Sequence, residues 1–333
     1  MNEKQVDLFD MWEAESQQQE FGTFLAKAEA GDKEAQMLVG ACYYYGRGIQ
    51  QDYSAAVPWL LKAADNDYPL AWFLLGCCYS SGLGVELDLE KDFRSFERAA
   101  ELGDLDALGI IAMYYETGHF VTEDKAKALQ LYEQAAGLGD SFSRISLGII
   151  YREGVLVPKN EKKAFRLFKE AAASGDPDAY SLVGNCYLDG TGVKQNAQKA
   201  ISWYQKGVEM DDYGCLVNLA DCYYYGIGTA VDTPKAIRLL EKLANIGDLN
   251  ANQRLGEIYY YGDQVLQNYS KAMAYFEVPA SHGKAPGCYH YGVCLYEGKG
   301  TAQDKEAGLT WIKSAAEQGF ELALQWLYEH GER

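Results

Sequence analysis

The residues of this 333-residue chain that could carry chemistry are few and badly spaced for it. It has four histidines, and its densest set of metal-type ligands is Cys288, His290 and Cys294, with His282 upstream. A structural zinc site wants four convergent nitrogen or sulfur ligands. On one helix six residues turn by about 600°, which leaves Cys288 and Cys294 about 120° apart, so they cannot face the same ion. The sequence contains no His-Glu-x-x-His helix, Gly-x-Ser-x-Gly elbow or Walker-type loop. Pairs such as Gly82-Leu83-Gly84 would suit a phosphate only after a β-strand, and here they follow a helical pattern. They read as turn glycines. Without converging catalytic groups the expectation is a non-enzyme, with no cofactor and no bound metal.

Composition points to a folded, acidic chain. Hydrophobic residues make up 48% and charged residues 23%, enough for a core. No apolar run approaches the 18 or so residues that a membrane span requires. The 30 basic and 48 acidic side chains leave a net charge of −18, which opposes nucleic-acid backbones and favours basic partners. Residues 1–15 mix Glu3, Asp7, Asp10 and Glu13 among apolar residues, unlike a secretory signal, so a cytoplasmic location is expected.

The elements that hold these residues are set by an internal repeat. Stepping by 36 from Gly40 lands on Gly76, Ala112, Gly148, Gly184, Ala220, Gly256 and Gly292, without insertion or deletion. Three residues after this reference position stands Tyr in seven units and Leu295 in the eighth; six residues after it, all eight units have Gly. Ala35, Val39, Gly40 and Tyr43 follow helical spacing, as do their later counterparts, and define a first helix, A, in each unit. A helical glycine costs about 1 kcal/mol relative to alanine, so its recurrence predicts close helix contact. The glycine six positions later ends the helix in a left-handed conformation. Twelve positions after the reference comes an unbroken Asp/Asn column from Asp52 to Asp304, which reads as the N-cap of a second helix, B. Ala56, Leu60, Ala63 and Ala64 give helix B one buried stripe. The trio Trp59, Trp203 and Trp311 falls in a helix B column that reads as inter-repeat core.

These boundaries divide the chain into N-terminal capping helices (1–31), eight helix-pair repeats (32–319) and a C-terminal capping helix (320–333). Ser16 to Ala30 reads as a lone helix B after an amphipathic segment containing Val6, Phe9 and Trp12. Residues 320–330 repeat the helix A register, with Tyr328 at the reference position. Five of eight cysteines, Cys42, Cys78, Cys186, Cys222 and Cys294, share one column on helix A and are expected to be buried free thiols. Asn268-Tyr269-Ser270 matches a glycosylation acceptor, but Asn268 lies in the cap column.

An A-x3-L-G-x2-Y-x2-G-x-G helix, an Asp/Asn cap and a second helix ending in Ala-Ala resemble the Sel1-like repeat, a relative of the tetratricopeptide repeat. The resemblance covers about residues 16 to 330 and implies an all-α, right-handed α-solenoid of antiparallel helix pairs. It also implies a concave groove lined by helix A, and an adaptor role in protein complexes. Some relatives carry cysteines eight apart that join helix B to the next helix A; here Gly207 precedes Cys215 and Ala280 precedes Cys288 at that spacing. That departure supports a reducing compartment. Phe120, Leu156 and Gln264 replace the second turn glycine, and Asp92 and Gly308 interrupt the helix B alanine column. Local irregularity is expected there.

Columns that vary between units are free to be surface. On helix A these are −6, −3, +1, +4 and +5 from the reference position, a second helical stripe. It supplies the candidate partner-binding residues Tyr44, Tyr45, Glu116, Glu153, Asp189, Asp221, Tyr224, Tyr225, Glu257, Tyr260, Tyr261 and Tyr296. Exposed tyrosines interleaved with carboxylates suit a basic or amphipathic protein segment. Some of these tyrosines could instead pack on helix B or the next unit. The net charge also fits a dedicated inhibitor or immunity protein directed at a cationic toxin. Neither nucleic acid nor membrane is an expected partner, and the oligomeric state is left open.

Overall fold

The computed structural model describes residues 14–262 and 264–332, which form eighteen helices and no strand. The segment with Val6, Phe9 and Trp12 lies outside the described residues. A single helix, α1 (Ala14–Glu29), comes first. Helix pairs follow: α2 (Lys33–Tyr45) with α3 (Tyr53–Ala64), α4 (Pro69–Ser81) with α5 (Leu89–Glu101), and α6 (Leu105–Thr117) with α7 (Lys125–Leu138). Next come α8 (Ser141–Glu153) with α9 (Glu161–Ala173), α10 (Pro177–Asp189) with α11 (Ala197–Val208), and α12 (Tyr213–Tyr225) with α13 (Thr233–Asn245). The last pairs are α14 (Leu249–Tyr261) with α15 (Tyr269–Ser281) and α16 (Ala285–Glu297) with α17 (Lys305–Glu317), followed by α18 (Glu321–Glu329). This is an all-α fold of stacked helix pairs. It divides into two compact units, residues 1–179 and 180–333.

In both units the same contacts recur. The reference glycine of helix A lies against the helix B residue twenty positions on. A Cβ at Gly76 would come within 2.8 Å of the Phe96 ring, and one at Gly148, Gly184 or Gly256 would overlap Phe168, Tyr204 or Phe276. The aromatic side chain can lie flat on the helix only because the glycine has no side chain, which offsets its poor helix propensity. All eight Asp/Asn caps of helix B accept the backbone N–H three residues on, at 2.9–3.1 Å. Asp104, Asp140 and Asp248 do the same for helix A directly after the glycine that ends helix B. Each cap satisfies an amide that the helix start leaves unpaired.

The irregularities fall where the repeat breaks. Phe120 and Gln264 keep the left-handed backbone of the glycine they replace, at φ 64° and 60°. Leu156 does not. Gly308 lets α16 and α17 meet backbone to backbone, its absent Cβ lying 2.6 Å from Tyr296 N. Asp92 is buried in place of an alanine, and its Oδ2 accepts a 2.7 Å hydrogen bond from the Tyr114 hydroxyl.

A row of contacts joins the two helices of a pair on their turn side. In the second to seventh pairs, a lysine three residues after the cap lies over the tyrosine three residues after the reference position, from Lys91 on Tyr79 to Lys271 on Tyr259. The ammonium stands 3.9–5.4 Å from the ring centre, within cation–π range. The lysine column was visible in the sequence at the same period, but only the fold brings it onto the ring.

Candidate partner-binding face

Two adjacent columns of tyrosine and acid on helix A have different surroundings. The +4 residues Tyr44, Glu116, Tyr224, Tyr260 and Tyr296 are half-buried, whereas the +5 residues Tyr45, Glu153, Asp189, Tyr225 and Tyr261 are exposed. One residue is a 100° turn, enough to move a side chain from the helix B side to solvent. Tyr44 meets Tyr53 edge-on at 5.2 Å, and Tyr260 meets Tyr269 at 5.3 Å and Phe276 at 6.0 Å. Tyr296 packs on Trp326 at 4.8 Å. Each of three half-buried tyrosines supports its exposed neighbour through a T-shaped contact: Tyr44 with Tyr45 at 4.9 Å, Tyr224 with Tyr225 and Tyr260 with Tyr261 at 5.0 Å. Tyr225 and Tyr261 are 63% and 62% exposed, against 37% for Tyr45. In residues 180–333 the exposed column therefore reads Asp189, Tyr225, Tyr261, Glu297 on α10, α12, α14 and α16. In residues 1–179 it reads Tyr45, Ser81, Thr117, Glu153.

The polar +1 residues of the second unit are engaged within the chain. Asn185 accepts from Asn218 Nδ2 at 3.2 Å, and Asp221 pairs with Arg254 Nη2 at 2.5 Å. Glu257 accepts from Gln253 Nε2 at 2.8 Å, and the same nitrogen lies 3.0 Å from His290 Nδ1. The partner at each step stands 33 residues on, at column −2 of the next helix A, or is linked to it through Gln253. Asn185 also receives the Tyr204 hydroxyl at 2.6 Å. At the first two junctions between helix pairs the equivalent positions are apolar: Ala41 and Leu74 share one cluster, and Cys77 and Ile110 another. Glu116 accepts the Tyr132 hydroxyl at 2.9 Å, and Glu153 lies 3.4 Å from Arg152. Among the described residues no basic group stands within ion-pair distance of Asp189 or Glu257.

Several other groups that could carry chemistry are buried. Burial pushes the Cys77 thiol up to about 11, which keeps it protonated, and the other cysteines are buried and form no disulfide. Cys215 Sγ occupies the space a side chain at Gly207 would need, and Cys288 Sγ points to the Ala280 carbonyl at 3.6 Å. His290 is buried, stacked on Phe276 at 4.7 Å, and burial holds its imidazole below the usual value. Among the described residues no three His, Cys, Asp or Glu side chains converge as a metal site. A cavity of about 490 Å³ in the first unit is lined by Asp104, Asp106, Asp140 and Asp176. Asp104, Asp140 and Asp176 accept backbone amides at helix starts, and burial pushes all three carboxyls up. Their work there is capping. No helix among the described residues is long and apolar enough to cross a membrane.

Comparison with known proteins agrees with this architecture. The family model for the Sel1 repeat matches residues 33–68, 69–104, 106–140, 142–176, 177–212, 215–248, 249–281 and 285–320. A crystal structure of a protective antigen present in uropathogenic Escherichia coli strains, which displays the same repeat fold, is 30% identical with a TM-score of 0.68. The match covers 91% of this chain and 65% of the antigen, so this chain spans about two thirds of that relative. A Sel1 repeat protein from Oxalobacter formigenes is 24% identical over 92% of this chain and 89% of its own, with a TM-score of 0.63. No curated protein sequence matches the chain. Eight successive matches, on helix pairs whose glycine and cap contacts recur from unit to unit, make this chain a member of the Sel1 repeat family.

Proposed function

We propose that the protein is a non-enzymatic scaffold that binds a basic or amphipathic protein segment on the helix A face of residues 180–333. The observation that carries this reading is the pair Tyr225 and Tyr261, each more than 60% exposed and each held from behind by a half-buried tyrosine. A rigid exposed tyrosine gives contact area and a hydroxyl with little loss of side-chain entropy. Asp189 and Glu257, without basic partners among the described residues, supply the charge that favours Lys or Arg. Asp221 is less available than its column suggested, because Arg254 already pairs with it. In this reading residues 1–31 and 320–333 cap the ends of the repeat stack, and the protein acts in the cytoplasm.

The test is affinity capture from the source organism's lysate with wild type beside Tyr225→Ala/Tyr261→Ala, the variant first verified as helical. Loss of a specific partner with the variant supports the face. Retention of every partner by both proteins overturns it.

A further inference from the structure

Glu257 on α14 is half-buried, and among the described residues no basic group stands within ion-pair distance of it. Lys299 is taken up by Glu297 at 2.6 Å and by the Tyr260 hydroxyl at 2.9 Å. The nearest partner of Glu257 is neutral: Gln253 donates Nε2 to it at 2.8 Å. That bond fixes the carboxylate in place from the protein side. Tyr261 follows Glu257 by four residues on the same helix, so the two side chains share one face, and the Tyr261 ring is 62% exposed. Partial burial and then the Glu257 carboxylate push its hydroxyl up, as that spacing leads one to expect. Tyr261 acts in turn on Tyr289, whose hydroxyl burial pushes up to about 12.

We propose that Glu257 and Tyr261 anchor an arginine side chain of a protein partner, with Gln253 positioning the carboxylate, an assignment that rests on the partner-face reading and narrows it to one residue type. Arginine matches both groups at once. Its planar guanidinium stacks on an aromatic ring while its fork of N–H donors meets a carboxylate. Lysine brings the same charge without the plane or the fork. Citrulline keeps the shape and loses the charge.

The test titrates the full chain with acetyl-Gly-Arg-Gly-amide and with its lysine and citrulline counterparts, observing ring-labelled tyrosines by NMR. The arginine peptide is expected to shift the Tyr261 signal and to bind about tenfold more tightly than the citrulline peptide, as a charge-assisted hydrogen bond would give. Glu257→Gln, which keeps an acceptor for Gln253, should remove about the same factor, and Tyr261→Leu should abolish the preference over lysine. Equal binding of arginine and citrulline peptides, or affinity unchanged by Glu257→Gln, overturns the assignment. If it fails while Tyr225→Ala/Tyr261→Ala still loses the captured partner, the face stands and only the arginine falls. If the peptide binds as expected and capture is unaffected, the scaffold reading has failed at this face.

Discussion

Tyr114 donates a 2.7 Å hydrogen bond to Asp92 Oδ2, and both residues depart from their repeat columns. Asp92 stands where six other units have alanine, and Tyr114 where the others have cysteine or isoleucine. The carboxyl is pushed up by burial, with the tyrosine bond acting the other way. Each departure makes the other tolerable. Asp92→Ala alone leaves a buried hydroxyl without a partner, and Tyr114→Cys alone leaves a buried carboxyl without one; each is expected to lower stability by about 1–3 kcal/mol. The double variant, which restores the pattern of the other units, should lose about 0.5–3 kcal/mol less than the sum. Urea unfolding of the four proteins checks this.

The reference glycine is predicted to be sensitive wherever an aromatic ring covers it. At Gly184 an added methyl would overlap the Tyr204 ring, itself fixed by its hydroxyl on Asn185. Gly184→Ala should therefore lower stability by about 1–3 kcal/mol, despite alanine's better helix propensity. A urea midpoint equal to or above wild type would show that the ring shifts at little cost.

Acidification is expected to loosen the last two units through His290. Its imidazole faces Gln253 Nε2, the Pro286 carbonyl, the Glu257 carboxylate and the rings of Tyr260, Phe276 and Tyr289. Burial lowers its folded value below the ordinary 6.5. The neutral form is thus the folded one, and its contribution is present above the ordinary value and lost as pH falls through the depressed one. Wild type should lose more stability than His290→Gln between pH 7.5 and 5.5. Parallel curves for the two proteins would remove His290 from the account.

The lysine–tyrosine pairs should contribute individually little and together measurably. Lys127 donates to the Tyr115 hydroxyl at 2.7 Å and Lys163 to the Tyr151 hydroxyl at 2.5 Å, each 3.9 Å from the ring centre. Lys127→Met and Lys163→Met are each expected to lower stability by about 0.5–1 kcal/mol, additively, since they lie one repeat apart. Thermal melts at low and high salt separate this from general charge effects.

The helix pairs, glycine contacts and caps were legible because the same contact recurs in every unit and so leaves a fixed residue at a fixed period. The candidate face was legible only in part. Tyr260 and Tyr261 are identical in sequence, yet one is wedged against Tyr269 and Phe276 and the other stands in solvent. Asn185, Asp221 and Glu257 looked like free surface because their column varies, whereas it varies because each has its own partner near the next helix A. Asp92 stood out as a break in a column, but nothing periodic links it to Tyr114. Variation between repeats can record a private contact as well as an open surface.

The polar contacts at Asn185–Asn218, Asp221–Arg254 and Glu257–Gln253–His290 also bear on how the chain finds its order. Near-identical repeats invite a helix to dock on the wrong neighbour, because every apolar surface is an acceptable substitute for the next. Sliding the stack by one repeat would set Asn185 against Arg254 and Asp221 against His290, and would part Arg254 from Asp221 and His290 from Gln253. A displaced helix would have to exchange every one of these half-buried contacts at once. Such a ladder would work as an address written into each junction, favouring the correct neighbour over one a repeat away.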